Sequence, residues 1–296
     1  MKINTKIHKL SHLIKCIIGF FEYLITKLSL QKNQLYVINY HGTQKKFIPN
    51  FRKQIIYFNK FFEIISPAQL NDFYLGKINY FEKPLLLITF DDGFKNNLYA
   101  AEILEEYNIK AYFFIVPDYI NSTLEQQMQL SDKNIYPNIN RFIDNEPEDF
   151  QHLTWTEIEG LLTKGHVIGS HTQTHRLIAK NSTFENSLNE IETSKKNIAE
   201  KLGLNTSSIN AFCSTHDTLL SIDVKELRLI KKNYEFHFTT IPGANKENGS
   251  KFFIKRVNIE SFWLMGAVKY ALGKWDLFRW RAAMEKYSKI IESCTI

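Results

Sequence analysis

The stretch Leu85–Val116 reads LLLITFDDGFKNNLYAAEILEEYNIKAYFFIV. An apolar run, Leu85–Phe90, leads straight into Asp91-Asp92-Gly93. A segment of helical periodicity over about 95–108 follows, and a second apolar run, Ala111–Val116, closes the unit. Runs this continuous leave no wet face, so they predict strands buried on both sides. Strand, helix and strand in this order form the unit of a parallel sheet with covering helices.

The same alternation extends in both directions. Leu35–Tyr40, His166–Ser170, Ile209–Cys213, Tyr234–Thr240 and Phe252–Val257 are further candidate strands, and helical spacing recurs over 50–64, 155–164, 183–202 and 222–232. Seven strands suit a closed or nearly closed (β/α) barrel better than a small open sheet, although the pattern alone admits both. The polar segment 117–152, with Pro117, Pro137 and Pro147, predicts a long functional or mobile loop. The chain therefore divides into an N-terminal amphipathic helix within 1–34, a barrel over 35–260 and a helical, aromatic extension over 261–296 carrying Trp263, Trp275 and Trp280.

Composition narrows the function. The 296 residues include 37 Lys+Arg and 31 Asp+Glu, a net charge of +6, with 44% hydrophobic and 23% charged residues. That profile excludes intrinsic disorder, and the charge excess is too mild and dispersed to argue for nucleic acid. Cys16, Cys213 and Cys294 form no CxxC pair, so any bound metal must be held by histidines and carboxylates. Residues 10–30, LSHLIKCIIGFFEYLITKLSL, carry apolar side chains at helical spacing interrupted by Lys15, Glu22 and Lys27. These charges make the segment a poor transmembrane helix and a poor signal peptide. It fits a helix packed on the domain, or an interfacial helix on an anionic membrane leaflet. The expected location is cytoplasmic, with a peripheral place on the inner membrane under the second reading.

The residues that follow the strands are the most informative. His41-Gly42 follows the first, Asp91-Asp92-Gly93 the next, His171-Thr172-Gln173-Thr174-His175 another, and Ser214-Thr215-His216-Asp217 a fourth. In barrels of this class the site lies at the C-terminal ends of the strands. Asp92, His171 and His175 form a candidate ligand set, since two imidazoles and one carboxylate leave positions open, the pattern of a catalytic zinc. Such an ion can polarise a carbonyl and bring the pKa of a bound water to about 7. The four-residue offset of His171 and His175 predicts both rings on one side of a helical turn. Asp91 is the candidate general base. Taken singly, Asp-Asp-Gly is ordinarily a turn and HxxxH a solvated helix face. Their arrival on successive strand ends is what points to a site.

At these residues the chain resembles the polysaccharide deacetylases of carbohydrate esterase family 4, which share the NodB homology domain. TFDDG at Thr89–Gly93 is similar to the first family motif, and SHTQTH at Ser170–His175 to the second, of H-[ST]-x-x-H type. The flanks Phe90–Val116 and Leu153–His175 agree, and Tyr40–Gly42 resembles the branch that attacks bacterial surface glycans. The resemblance spans about 35–258. It implies a distorted (β/α) barrel and hydrolysis of an N-acetyl or similar acyl group on a sugar. It also implies one divalent ion, zinc first, with cobalt, nickel or manganese as alternatives. Asp91 is implied as base, and Asp92, His171 and His175 as ligands, in agreement with the reading of the residues. His41 and Thr172 are candidate substrate contacts. The later motifs depart from the family pattern: Cys213–Asp217 replaces a Pro-aromatic segment, and no Leu-x-His motif supplies an acid. His216, after a strand end, is the candidate acid, whereas His237, within a strand, reads as core. Arg256, in FFIKRVNIE, corresponds to a late family Arg that orients the base. The expected substrate is an N-acylated sugar of a cell-surface polysaccharide or its precursor. The alternatives are a deformylase or other acyl hydrolase, a glycan-binding module on a degenerate site, and a membrane-associated protein whose helix 10–30 is the functional part.

Overall fold

The computed structural model describes residues 13–17, 32–78, 82–120, 122–130, 147–178, 183–215, 222–273, 285 and 289. Among the described residues nine strands form one curled sheet: β1 Leu35–Tyr40, β2 Glu63–Ile64, β3 Leu85–Phe90, β4 Tyr112–Ile115, β5 Val167–Ser170, β6 Ala211–Cys213, β7 Phe236–Phe238, β8 Ala244–Asn245 and β9 Val257–Asn258. The path runs β7-β6-β5-β4-β3-β1-β8, with β2 beside β3 and β9 beside β1. Every pairing is parallel except β1 with β8. The sheet is the half-barrel of a distorted (β/α) barrel.

The alternation of the strands decides which side chains reach the site. Leu35 and Val37 of β1, Leu85 and Leu87 of β3, and Tyr112 and Phe114 of β4 form one apolar cluster inside the curl. Tyr36, Ile38 and Tyr40, Leu86, Ile88 and Phe90, and Phe113 and Ile115 form the other, beneath the helices. Both faces are buried, which is why the runs read as continuous rather than alternating. Because the side-chain period is two, Asn39, Thr89 and Asp91 continue the inner rows past their last apolar residues. The polar end of the barrel interior is thus built by simple continuation of its apolar rows.

Helices Ile48–Phe61, Asn97–Glu106, Trp155–Thr163 and Val224–Asn233 lie close to their predicted bounds. Thr154 and Asp223 cap the last two with reciprocal boxes to Glu157 and Glu226, an arrangement that satisfies the otherwise orphaned first-turn N–H groups. Two sequence expectations need correction. Phe252 and Phe253 lie in a turn and a bend, and the strand there is Val257–Asn258; Ile254 pairs with the sheet backbone through a single bridge to Phe238. The segment 117–152 is not loop throughout, since it holds short helices at Pro117–Ile120 and Leu124–Leu130 and a 3-10 turn at Pro147–Phe150. Of the amphipathic stretch 10–30, residues 13–17 are described and helical. Of the C-terminal extension, helix Met265–Gly273 is described, while Trp275 and Trp280 lie outside the described residues. No helix among the described residues is long and apolar enough to cross a membrane.

Candidate active site

Asp92 leaves β3 through a backbone reversal. Asp92 and Gly93 both have φ of 70°, so the chain turns sharply at the strand end and swings the Asp92 carboxylate away from the inner row that holds Asp91. Gly93 has a second constraint, since a Cβ there would sit 3.2 Å from Ile115 Cγ2. Across the rim, β5 ends in Ser170 and releases the loop His171–His175, in which Thr172 has φ of 67° and His175 φ of 59°. The expected helical turn is absent; two left-handed residues bring the histidines together instead. Non-glycine residues held in this region cost about 1–3 kcal/mol each and persist where surrounding structure fixes them.

The two turns converge. Asp92 Oδ1 lies 3.3 Å from His171 Nε2 and 3.2 Å from His175 Nε2, and donor atoms of the three residues lie within 4.8 Å of one another. Asp92 is fully buried, and neither of its oxygens has a hydrogen-bond partner. A buried carboxylate left without hydrogen bonds and faced by two imidazole nitrogens fits a divalent cation of the two-histidine, one-carboxylate type. Burial would raise the Asp92 carboxyl, but the imidazoles of His171 and His175 hold it well below the usual range. His171 is oriented by a contact of 3.0 Å between its Nδ1 and the Cys213 carbonyl.

A second cluster, Asp91, His171 and Cys213, also has metal-ligating atoms close together. Arg256 already fills it. The guanidinium donates to Asp91 Oδ1 at 2.7 Å and Oδ2 at 2.8 Å, contacts Cys213 Sγ at 2.9 Å and donates through Nε to the Thr239 carbonyl at 2.9 Å. This bidentate fork is the strongest form of ion pair. Burial would raise the Asp91 carboxyl, but the Arg256 charge, aided by His171 and His41, keeps it below its ordinary value. Burial pushes the Cys213 thiol up.

His41, at the end of β1, faces the same carboxylates from the other side. Its Nδ1 lies 3.1 Å from Glu260 Oε1. Burial would lower this imidazole, but Glu260 above all, with Asp92 and Asp91 behind it, raises it to about 9. Hydrogen bonds run on from Glu260 through Asn258 Nδ2 at 3.0 Å, then Asn39 Nδ2 to Asn258 Oδ1 at 3.0 Å, to Asp91 Oδ2 at 3.4 Å. Asp91 and His41 are thus joined by a chain of side chains from β1 and the end of β9.

The other predicted residues fall differently. Thr172 is wholly buried and its hydroxyl has no hydrogen-bond partner. His216 lies outside the described residues. His237 is fully buried on β7, 2.5 Å from Ser214 Oγ, and burial drives it down to about 3. Glu260 was not singled out from the sequence, although the rule that found the other residues, a polar side chain after a strand end, also marks it. His152 was missed as well. It packs between the rings of Phe94 and Tyr119, and burial holds it neutral with a pKa of about 4.

Residues 79–225, which contain both motifs, match the family described as Polysaccharide deacetylase. Over these residues the chain belongs to the polysaccharide deacetylase family. Solved structures share its fold. The Streptococcus pyogenes deacetylase PplD, determined in complex with acetate, superposes with a TM-score of 0.59 at 15% identity, covering 82% of this chain and 100% of that one. The deacetylase domain of BpsB from Bordetella bronchiseptica gives 0.59 at 16% identity, over 78% of this chain and 97% of that one. IcaB from Ammonifex degensii gives 0.55 at 20%, over 82% and 98%. No curated protein sequence matches the chain.

Proposed function

We propose that this deacetylase-family chain is a metal-dependent hydrolase that removes an N-acetyl group from a sugar of a cell-surface polysaccharide or its precursor. The observation that carries the reading is the convergence of Asp92, His171 and His175 beside a carboxylate, Asp91, that Arg256 keeps ionised. A divalent ion held by the three residues would polarise the acyl carbonyl and acidify the attacking water.

The remaining chemistry belongs to side chains. Asp91 takes a proton from the attacking water as it adds to the amide carbonyl; an ionised, fixed carboxylate is suited to that work. Collapse of the tetrahedral adduct breaks the C–N bond, and the departing nitrogen needs a proton. His41 supplies it in this proposal. Raised to about 9 by Glu260, it is protonated at neutral pH and stands on the far side of the carboxylates from the histidine loop. The amide chain through Asn39 and Asn258 holds acid and base at a fixed separation.

Mass spectrometry of N-acetylated oligosaccharides incubated with zinc- or cobalt-loaded protein tests the proposal. Loss of one acetyl group per turnover, absent in Asp91→Asn, is the expected result. Loaded protein that leaves every N-acetyl sugar intact but releases formate from an N-formyl sugar would replace the acetyl reading with the deformylase one.

A further inference from the structure

Resting on the metal-centre reading above, we propose that Glu190 is a positioning residue that acts through the loop backbone to aim His175. The two imidazoles of the ligand set are not held alike. His171 has a partner for its second nitrogen, the Cys213 carbonyl at 3.0 Å. His175 Nδ1 is buried and has none. Ligating histidines ordinarily use that second nitrogen to fix the ring, so the orientation of His175 rests on its backbone and on ring contacts with His171 at 4.9 Å and Tyr119 at 6.2 Å. That backbone is left-handed at Thr172 and again at His175.

Glu190 grips the two residues between those positions. Its Oε2 accepts from Gln173 N at 3.0 Å and Thr174 N at 2.9 Å, and its Oε1 accepts from Thr174 Oγ1 at 2.7 Å. All three donors belong to the metal loop. The carboxylate is 5% exposed, in the π-helical stretch Asn189–Thr193 that interrupts the helical run from Phe184 to Lys201. A π-turn inserts an extra residue and re-aims side chains locally, and such turns are frequent at functional sites. Asp118 holds the other side of the loop, accepting from Gln173 Nε2 at 2.5 Å. Asp118 also donates its backbone N–H to the Gln173 carbonyl at 3.2 Å, whereas Glu190 takes the two consecutive N–H groups of Gln173 and Thr174 that lead into His175.

Titration with Co(II), read by the d–d absorption of the bound ion, tests the proposal without reference to activity. Glu190→Ala is expected to weaken Co(II) binding about 10–100-fold, the range for partners of metal ligands. Glu190→Gln, whose amide oxygen still accepts from both backbone N–H groups, is expected to bind within a few-fold of wild type. Thr174→Val removes one of the three bonds without stranding a charge and is expected to weaken binding several-fold, which covers the case in which Glu190→Ala fails to fold. Ile103→Val, a core truncation away from the loop, controls for general destabilisation. Wild-type Co(II) affinity in Glu190→Ala or in Thr174→Val would overturn the proposal, as would equal weakening in Ile103→Val. Failure of the wild type to bind Co(II) would instead overturn the metal-centre reading on which it rests.

Discussion

Replacing Arg256 with Met tests the buried pair at the centre of the site. Arg256 is 2% exposed, and its fork occupies both oxygens of Asp91 at 2.7 and 2.8 Å. Methionine fills much of the volume but leaves Asp91 as a buried charge without its cation, a situation that costs about 3–5 kcal/mol. At about 2–4 °C per kcal/mol for a domain of this size, the melting temperature should fall by about 6–20 °C. The pH dependence carries the sharper signature. In the wild type the Asp91 pKa is depressed, so its contribution to stability is present above the unfolded value of about 4 and lost as pH falls through the lower folded value. In Arg256→Met burial is opposed only by the more weakly acting His171 and His41, so the folded pKa rises: the variant's deficit shrinks at acid pH, and the acid limb of its pH–rate profile moves up. Thermal melts from acid to neutral pH, with acetate release over the same range, measure both. Adding Asp91→Asn to Arg256→Met should restore part of the stability, because the stranded charge is removed. A variant that melts with the wild type and keeps its acid limb would refute the argument.

Three further outcomes are expected. With His41 raised to about 9 by Glu260, kcat should fall on the alkaline side as pH rises through that value, and Glu260→Gln should move the limb down towards 6.5; an unmoved limb would exclude His41 as the acid. The same raised pKa makes the His41–Glu260 contribution to stability complete below about 6.5 and lost as pH rises through about 9. Gly93→Ala places a Cβ at φ of 70° and 3.2 Å from Ile115 Cγ2, which should cost about 1–3 kcal/mol in chemical denaturation; a neutral result would contradict the turn geometry. Leu13, Ile14 and Ile17 are about half exposed. If residues 10–30 contact an anionic leaflet, Leu13→Lys with Ile17→Lys should release the protein from anionic liposomes, and unchanged partitioning would leave the alternative, a helix packed on the domain.

The parts of the fold legible in the sequence were those governed by periodicity. β1 and β3 were found to the residue, because continuous apolar runs buried on both sides leave an unambiguous pattern. Phe252–Val257 misled because its aromatics lie in a turn and a bend, and Ile254 pairs with the sheet backbone through one bridge only. The convergence of Asp92, His171 and His175, a candidate ligand set, was legible because two short motifs carry these residues. Its geometry was not: HxxxH spacing suggests a helical turn, whereas the left-handed torsions at Thr172 and His175 are not signalled by residue type, since β-branched Thr ordinarily avoids that region and His enters it only in a minority of cases. The partnership of His41 with Glu260 spans 219 positions and arises from β9 lying beside β1, a pairing that no local pattern encodes.

The most direct test is the metal content of purified wild-type chain beside His171→Ala, each assayed for acetate release from N-acetylated oligosaccharides. The account predicts about one divalent ion per wild-type chain, as expected of a single catalytic site, with ion and acetate release lost together in the variant. No bound metal in the wild type, even after reconstitution with zinc or cobalt, would contradict it.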